Sequence, residues 1–220
     1  MLFPYAPLRP HDSEWFPPTH AADADGLLAY GGDLTPARLL AAYRRGIFPW
    51  FSHDEPPLWW SPDPRCVLFP DELRVSHSMR SLLRKSTFEF RVDTAGPAVI
   101  AACARTPRPG QDGTWITPAV GAAYTELYQR GHVHSAEAWQ DGHLVGGLYG
   151  VQLGRVFFGE SMFSHVPNAS KFALIRWVTE LQGQGIQLID CQQATTHLLS
   201  LGARLIGRSD FEARLAELVT

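Results

Sequence analysis

The chain has 220 residues, 45% of them hydrophobic, with 19 basic and 22 acidic side chains and a formal net charge of -3. That length holds one large domain or two small ones with real cores, and the near-balanced charge carries no global signal for a polyanion partner. Cys66, Cys103 and Cys191 are odd in number and form no CxxC, which argues against a disulfide framework; no window of about 18 apolar residues suggests a membrane span, and no charged region followed by an apolar run marks a signal peptide, so the expectation is a reduced, cytoplasmic protein.

Charge is unevenly spread. Residues 1–37 carry one Arg against five acids, residues 38–108 eleven Lys/Arg against seven, and the remainder seven against ten. The middle of the chain is locally basic, which permits a nucleic-acid patch.

Residues 1–30 are rich in Pro and aromatics (Phe3-Pro4, Trp15-Phe16-Pro17-Pro18) and suggest an irregular, packed loop. Thr35-Pro36 opens a helix, with Thr as N-cap and Pro at N1, and Gly46 closes it. Leu39, Leu40 and Tyr43 form its apolar stripe, leaving Arg38, Arg44 and Arg45 mostly off it. Residues 47–64 hold five prolines and three tryptophans, the pattern of a rigid aromatic loop closing a pocket, with a domain boundary near Asp63. A strand is expected at 65–69 and a helix from Ser76 to Lys85 bearing Arg80, Arg84 and Lys85. Helices follow at 97–104 and 118–130, the latter stopped by Gly131. Alternation at 134–140, 143–152 and 156–161, with turns at Asp141-Gly142 and Gly154, predicts an antiparallel meander. A helix at 169–183 and a buried strand at 186–192 come next. Ser209-Asp210-Phe211-Glu212 matches a capping box opening the last helix. Strands with helices between them make an α+β sheet domain.

Glu160 lies among Phe157, Phe158 and Phe163, and Asp190 lies in an Ile/Leu strand. A buried carboxylate costs several kcal/mol unless paired or hydrogen-bonded, so each implies a structural network or a reaction. Asp190 and Gln192, at i and i+2 of one strand, project from one face, where they could position and deprotonate a nucleophile or form a buried polar pair. Glu160 shares a face with Phe158 and could receive a cationic group or be a satisfied core carboxylate. Gly146, Gly147 and Gly150 inside one strand suggest a bend or a close backbone approach by a ligand. His132 and His134 are the single close His pair, too few ligands for zinc, so no metal is expected. There is no GxxxxGK[ST], no GxSxG and no dinucleotide fingerprint at Gly110 to Gly113.

The segments GLLAYGGDL (26–34), AAYRRGIFPWF (41–51), LWWSPDPR (58–65), GTWIT (113–117), GHVHSAEAW (131–139), LVGGLYGV (144–151), FFGESMFS (157–164), NASK (168–171) and LIDCQ (188–192) together resemble the leucyl/phenylalanyl-tRNA–protein transferases of bacteria, in order and over nearly the whole chain.

The resemblance implies a small N-terminal domain (1–63) followed by a catalytic domain similar to the GNAT acyltransferases (64–220). It implies transfer of Leu or Phe, and less well Met, from aminoacyl-tRNA to the α-amino group of proteins beginning with Arg or Lys, marking them for N-end-rule degradation. No cofactor is expected, since the donor ester is already activated. Partners are aminoacyl-tRNA and acceptor proteins, with no membrane, and the protein is expected to be a monomer. The resemblance assigns Asp190 and Gln192 to orienting the amine or accepting its proton, and Glu160 to the acceptor's cationic N-terminus. It places Leu148, Phe157, Met162 and Trp177 around the aminoacyl side chain, Trp50 and Trp115 near the aminoacyl-adenosine, and Arg80, Arg84 and Lys85, with Arg44 and Arg45 as weaker candidates, against tRNA. His77 and Ser81 stand where relatives can be basic. The alternatives are an acyl-CoA-dependent N-acyltransferase, against which the glycine-free stretch 165–170 speaks, and a non-catalytic RNA-binding protein.

Overall fold

A computed structural model describes residues 5–10, 12, 14–85, 87–106 and 114–219. The Phe3-Pro4 and Gly110 to Gly113 readings lie outside the described residues. The expected α+β architecture is present as two sheets and the helices that flank them.

The first sheet is built from short strands β1 (Ala6–Leu8), β2 (Leu27–Gly31), β3 (Phe48–Pro49) and β4 (Leu58–Trp60), in the order β1-β2-β4-β3. The stretches expected to be irregular at 1–30 and 47–64 therefore contain strands. Segments of two to five residues are too short for alternation to show, and tertiary pairing decides them. Between β2 and β3, α1 (Pro36–Arg44) starts at Thr35, whose hydroxyl accepts from the Arg38 N–H at 3.4 Å. Arg38 itself is fully buried, not on the outer face as its position off the apolar stripe suggested. Its guanidinium donates to the Arg9 carbonyl at 2.6 Å and to Asp33 at 3.4 Å, and lies over the Phe16 ring. The long stem packs in the core while the head finds local acceptors.

The second sheet comprises β5 (Arg65–Leu68), β6 (Glu89–Val92), β7 (Val133–Gln140), β8 (His143–Leu153), β9 (Val156–Ser164), β10 (Leu188–Gln192) and β11 (Arg204–Ile206). Its order is β11-β5-β10-β9-β8-β7-β6, and only β9 with β10 pair in parallel. The antiparallel meander is β7-β8-β9. A crossover through α5 (Ala169–Gly183) brings the chain back to β10, as a parallel pair requires. The remaining helices are α2 (His77–Arg84), α3 (Gly96–Arg105), α4 (Pro118–Gln129), α6 (Thr196–Ser200) and α7 (Arg208–Leu218). The edge strands β6 and β11 and the single-turn α6 gave no sequence signal of their own. The last helix begins one residue before the Ser209 box, behind Gly207, and no side-chain cap bond forms there.

Alternation splits the apolar residues between two cores. Phe158, Tyr43, Tyr124, Leu127 and Phe211 belong to one that runs on into the first sheet. Phe157, Leu148, Phe172 and Trp177 belong to the other, under α5. The strand glycines serve this packing. A Cβ at Gly146 would stand 2.5 Å from the Ala169 Cβ at the start of α5, and one at Gly150 would stand 2.2 Å from the Phe158 carbonyl oxygen. Close backbone approach, here by the protein itself, is why they are glycines.

Two irregularities position the site. Tyr149 pairs with Ser161 and Gly150 with Gly159, so Glu160 is the extra residue of a bulge in β9. Asp190 pairs with Val67 and Gln192 with Cys66, so Cys191 is extra in β10, and Gln192 takes φ 55. The parallel pairing of β9 with β10 joins Val156–Phe158 to Leu188–Asp190. The bulged residues lie just beyond it, where a bulge re-aims side chains out of the ladder.

Candidate active site

A cavity of about 390 Å³ opens where β9 and β10 slip. Leu148, Phe157, Met162, Leu174, Ile189 and Leu198 supply apolar wall; Phe48, Trp50 and Trp115 supply rings; Glu160, Gln192, Gln193, Thr195 and His197 supply polar groups. A mostly apolar cleft with a few convergent polar groups is the usual form of a ligand site. Seven of the nominated residues meet here: Trp50, Trp115, Leu148, Phe157, Glu160, Met162 and Gln192. Trp50 is fixed by its neighbour Trp60, whose indole N–H donates to the Trp50 carbonyl at 2.6 Å while the rings meet edge to face. Trp115 meets Tyr124 edge to face at 6.2 Å.

Trp177 is not on the wall. It is buried behind Phe157, ring to ring at 5.5 Å, and so backs the pocket while Leu174, one turn earlier on α5, lines it. Asp190 is also beneath the wall, not on it. It is fully buried, and Arg65 grips it with two parallel bonds: Nε to Oδ1 at 2.8 Å and Nη2 to Oδ2 at 2.7 Å. The guanidinium is sandwiched between the rings of Phe48 and Phe211, each 4.7 Å from its centre. Bidentate geometry with both ring faces covered is what allows a buried pair to recover its desolvation cost. Asp190 Oδ1 also accepts from the Gln192 backbone N–H at 3.0 Å. The link from Asp190 thus runs to the Gln192 main chain, and the slip at Cys191 breaks the simple i, i+2 face. The Gln192 side-chain nitrogen is buried with no hydrogen-bond partner among the described residues.

Glu160 sits differently. Tyr43 from α1 donates to Oε1 at 2.7 Å, Tyr124 from α4 donates to Oε2 at 3.0 Å, and the two phenols also meet each other. Burial pushes the Glu160 carboxyl up to about 7, against the lowering pull of the two tyrosine bonds; Asp190 pushes up and Arg65 pulls down from farther away. Both tyrosines are held well above their ordinary range by burial and then by the Glu160 charge. The free thiols of Cys191, on the wall, and Cys66 share a hydrogen bond that lowers the Cys66 thiol; that bond and burial raise the Cys191 thiol. Burial, then Lys171, lowers His197.

Arg80, Arg84 and Lys85 are exposed on and after α2, and Arg44 and Arg45 are exposed at the end of α1. The Arg80 guanidinium donates to the Val75 carbonyl at 3.0 Å and the Arg45 guanidinium to the Phe16 carbonyl at 3.4 Å. His134 meets Asp93 at 2.6 Å, and among the described residues no group of three or more His, Cys, Asp or Glu is placed to hold a metal ion. Among those residues no helix is long and apolar enough to cross a membrane. The sequence reading missed Tyr43, Tyr124 and Arg65 as parts of the site. Arg65 had a findable signal, since a carboxylate in an apolar strand demands a buried cation.

Comparison with known proteins identifies the group. Residues 32–63 match the family model of the leucyl/phenylalanyl-tRNA protein transferase N-terminal domain, and residues 67–216 match the leucyl/phenylalanyl-tRNA protein transferase model. The chain belongs to the leucyl/phenylalanyl-tRNA–protein transferase family. Similar relatives carrying that name include one from Chromobacterium violaceum, 58% identical over 92% of this chain and 87% of the relative, and one from Aromatoleum aromaticum, 59% identical over 91% and 85%. One from Thiobacillus denitrificans is 57% identical over 94% and 92%. Family membership makes the chain an aminoacyltransferase, and the family's reaction is tRNA-dependent aminoacyl transfer to proteins. Among solved structures, a GCN5-related N-acetyltransferase from Kribbella flavida matches at 11% identity and TM-score 0.41, over 77% of this chain and 60% of that one. The C-terminal domain of a putative lysylphosphatidylglycerol synthetase from Agrobacterium fabrum matches at 13% and 0.42, over 86% and 63%.

Proposed function

We propose that the cavity holds the aminoacyl-adenosine end of Leu- or Phe-tRNA, and less well Met-tRNA, and transfers the amino acid to the α-amino group of proteins beginning with Arg or Lys, which marks them for N-end-rule degradation. The observation that carries this reading is an apolar pocket with a carboxyl and an amide converging on its rim: Leu148, Phe157 and Met162 beside Glu160 and Gln192. Leu174 and Ile189 extend the apolar wall and take the place first given to Trp177. An unbranched Met adapts its shape at low cost, which suits a pocket serving both Leu and Phe. Trp50 and Trp115 offer rings for the terminal adenosine.

The acceptor amine has a pKa of about 7.7–8.0 and must shed a proton before attack. Gln192 orients it, Glu160 faces its cationic form, and Asp190 holds Gln192 in place through the backbone bond rather than reaching the amine. The donor ester is already activated, so the reading needs no cofactor. Arg80, Arg84 and Lys85 bind tRNA phosphates, with Arg44 and Arg45 contributing less. The reading treats residues 1–63 and 64–220 as two domains of a cytoplasmic monomer.

The test is transfer of radiolabelled Leu from charged tRNA to model proteins beginning with Arg, Lys, Asp or Ala. Label on the Arg and Lys proteins alone is expected. No transfer to any of them, with tRNA still bound, overturns the reading.

A further inference from the structure

The transfer reading leaves open which group takes the amine's proton, and the proton count of one cluster answers it. Glu160 Oε1, the Tyr43 hydroxyl, the Tyr124 hydroxyl and Glu160 Oε2 close a ring of three oxygen–oxygen contacts. With the carboxyl ionised, only two phenolic protons serve three contacts. One more proton on Oε1 fills the ring in a single direction: Oε1–H donates to Tyr43, Tyr43 to Tyr124, and Tyr124 back to Oε2. A hydroxyl has one proton to give, so the ionised ring always leaves one contact unbridged. Glu160 lines the cavity, whereas the two tyrosines are buried.

We propose that the Tyr43–Tyr124–Glu160 cluster is the proton acceptor of the transfer reaction, with Glu160 taking a proton from the acceptor's α-ammonium and the tyrosines acting as positioning residues. This rests on the transfer reading above. One N–H proton passes to Glu160, and the freed nitrogen lone pair forms the C–N bond to the ester carbonyl. The bond to the tRNA 3′ oxygen breaks, and the second amine proton ends on that oxygen. Glu160 gives its proton to solvent as products leave. Asp190 is unsuited to this step because Arg65 and the Gln192 N–H already occupy it. The groups facing Glu160 are Tyr43 from α1, Tyr124 from α4, Asp190 from β10 and Arg65 from β5. An acceptor near 7 and an amine near 8 exchange a proton at little cost.

The test uses the full chain with charged Leu-tRNA and an acceptor protein beginning with Arg. Single-turnover rates are followed from about pH 5.5 to about pH 9, beside ¹³C NMR titration of the side-chain carboxyls. The wild-type rate is expected to rise with pH along a limb matching a carboxyl signal that Glu160→Gln removes. Tyr43→Phe takes a charge-assisted bond from the carboxylate, which outweighs the neutral bonds lost from the protonated ring, so limb and signal move together to higher pH, by roughly one unit. Tyr124→Phe moves them the same way. The acceptor amine's own titration stays put in both, so movement reports the cluster. Equal loss of rate at every pH in Tyr43→Phe and Tyr124→Phe, with no movement of the limb, overturns the proposal. So does a limb that survives Glu160→Gln and vanishes in His197→Gln, the histidine on the wall. Wild-type protein that transfers nothing at any pH overturns the transfer reading and the proposal with it.

Discussion

Two glutamates flank β8 in the second sheet, and their surroundings are opposite. Glu137, on β7, is fully buried and accepts from the Thr94 N–H at 3.0 Å, the Ala95 N–H at 2.7 Å, the Ser135 hydroxyl at 2.8 Å and the Trp139 indole at 2.9 Å, with the Thr94 hydroxyl as a fifth donor. These bonds anchor the entry to α3, whose N-cap residue Ala95 has no capping side chain of its own. Glu160, on β9, has two tyrosine donors and a cavity in front of it. A carboxylate offers about four acceptor sites. Glu137 has none left for a ligand, so it can only hold structure. Glu160 has sites to spare and a path to solvent, so it can act. Chemistry follows the number of fixed donors, not burial alone.

The difference is broken most sharply by removing each carboxylate in turn. Glu160→Gln should lower the transfer rate by about 10²–10⁴-fold, the usual worth of a positioned acid or base, with tRNA affinity nearly unchanged. Rapid-quench transfer assays beside filter binding check both. Glu137→Ala should cost about 3–5 kcal/mol of stability by orphaning its donors, with transfer per folded molecule intact. Denaturant unfolding and activity corrected for folded fraction check that pair. Equal effects from the two substitutions would dissolve the comparison.

A smaller effect sharpens it through pH. The folded Glu160 carboxyl titrates near 7, above its ordinary 4.5. The native state therefore holds more protons than the unfolded chain between those values, and stability falls as pH rises through that window. Above pH 7 the ionised Glu160 costs about 2–3 kcal/mol, discounted for the solvent the cavity admits. Glu160→Gln removes that cost. The variant should be more stable than the wild type at pH 8 and no more stable at pH 4, while losing activity. Glu137→Gln should lose stability at both values. Paired melts at the two pH values check the sign.

The pocket itself gives a smaller discrimination. Met162→Ala should change the ratio of kcat/KM for Leu against Phe by about tenfold, since a side-chain-sized change in an apolar pocket is worth about 1–3 kcal/mol. Parallel assays with the two charged tRNAs read that ratio directly.

Much of this was legible before any coordinate. The stretches that became α1, α4 and the β7-β8-β9 meander carry their own capping and turn residues, so local chemistry and tertiary structure agree. The acids among apolar residues pointed to Glu160 and Asp190 because burying charge has a cost that composition alone reveals. What stayed hidden was decided by pairing over long distances. β1, β3, β6 and β11 are too short to show a period, and the partners of β1, β6 and β11 lie far along the chain. Tyr43 was counted as part of an apolar stripe, which it is, but its hydroxyl meets a carboxylate 117 residues away. Trp177 and Leu174 share one helix, and only the pitch of α5 against β8 decides which of them reaches the cavity.

The same rule about committed partners extends to the cations, and it gives the smallest expected effect. Arg65 is buried with Asp190 between Phe48 and Phe211, so no phosphate reaches it. Arg84 and Lys85 end α2 in solvent. If they bind tRNA, each replaces counterions, and the logarithm of the binding constant must fall linearly with the logarithm of salt. Lys85→Ala should then shallow that slope by roughly 0.7–0.9 and weaken binding alike for tRNAs of any sequence, because phosphate contacts carry no base information. Arg84→Ala should do the same, and the double variant should sum the two, since each contact releases its own ions. An uncharged replacement of Arg65, Arg65→Met, should lose stability by about 3–5 kcal/mol and leave the slope of its folded fraction where it was. A slope untouched by Arg84 and Lys85 would move the tRNA path off α2, toward Arg44 and Arg45 at the end of α1.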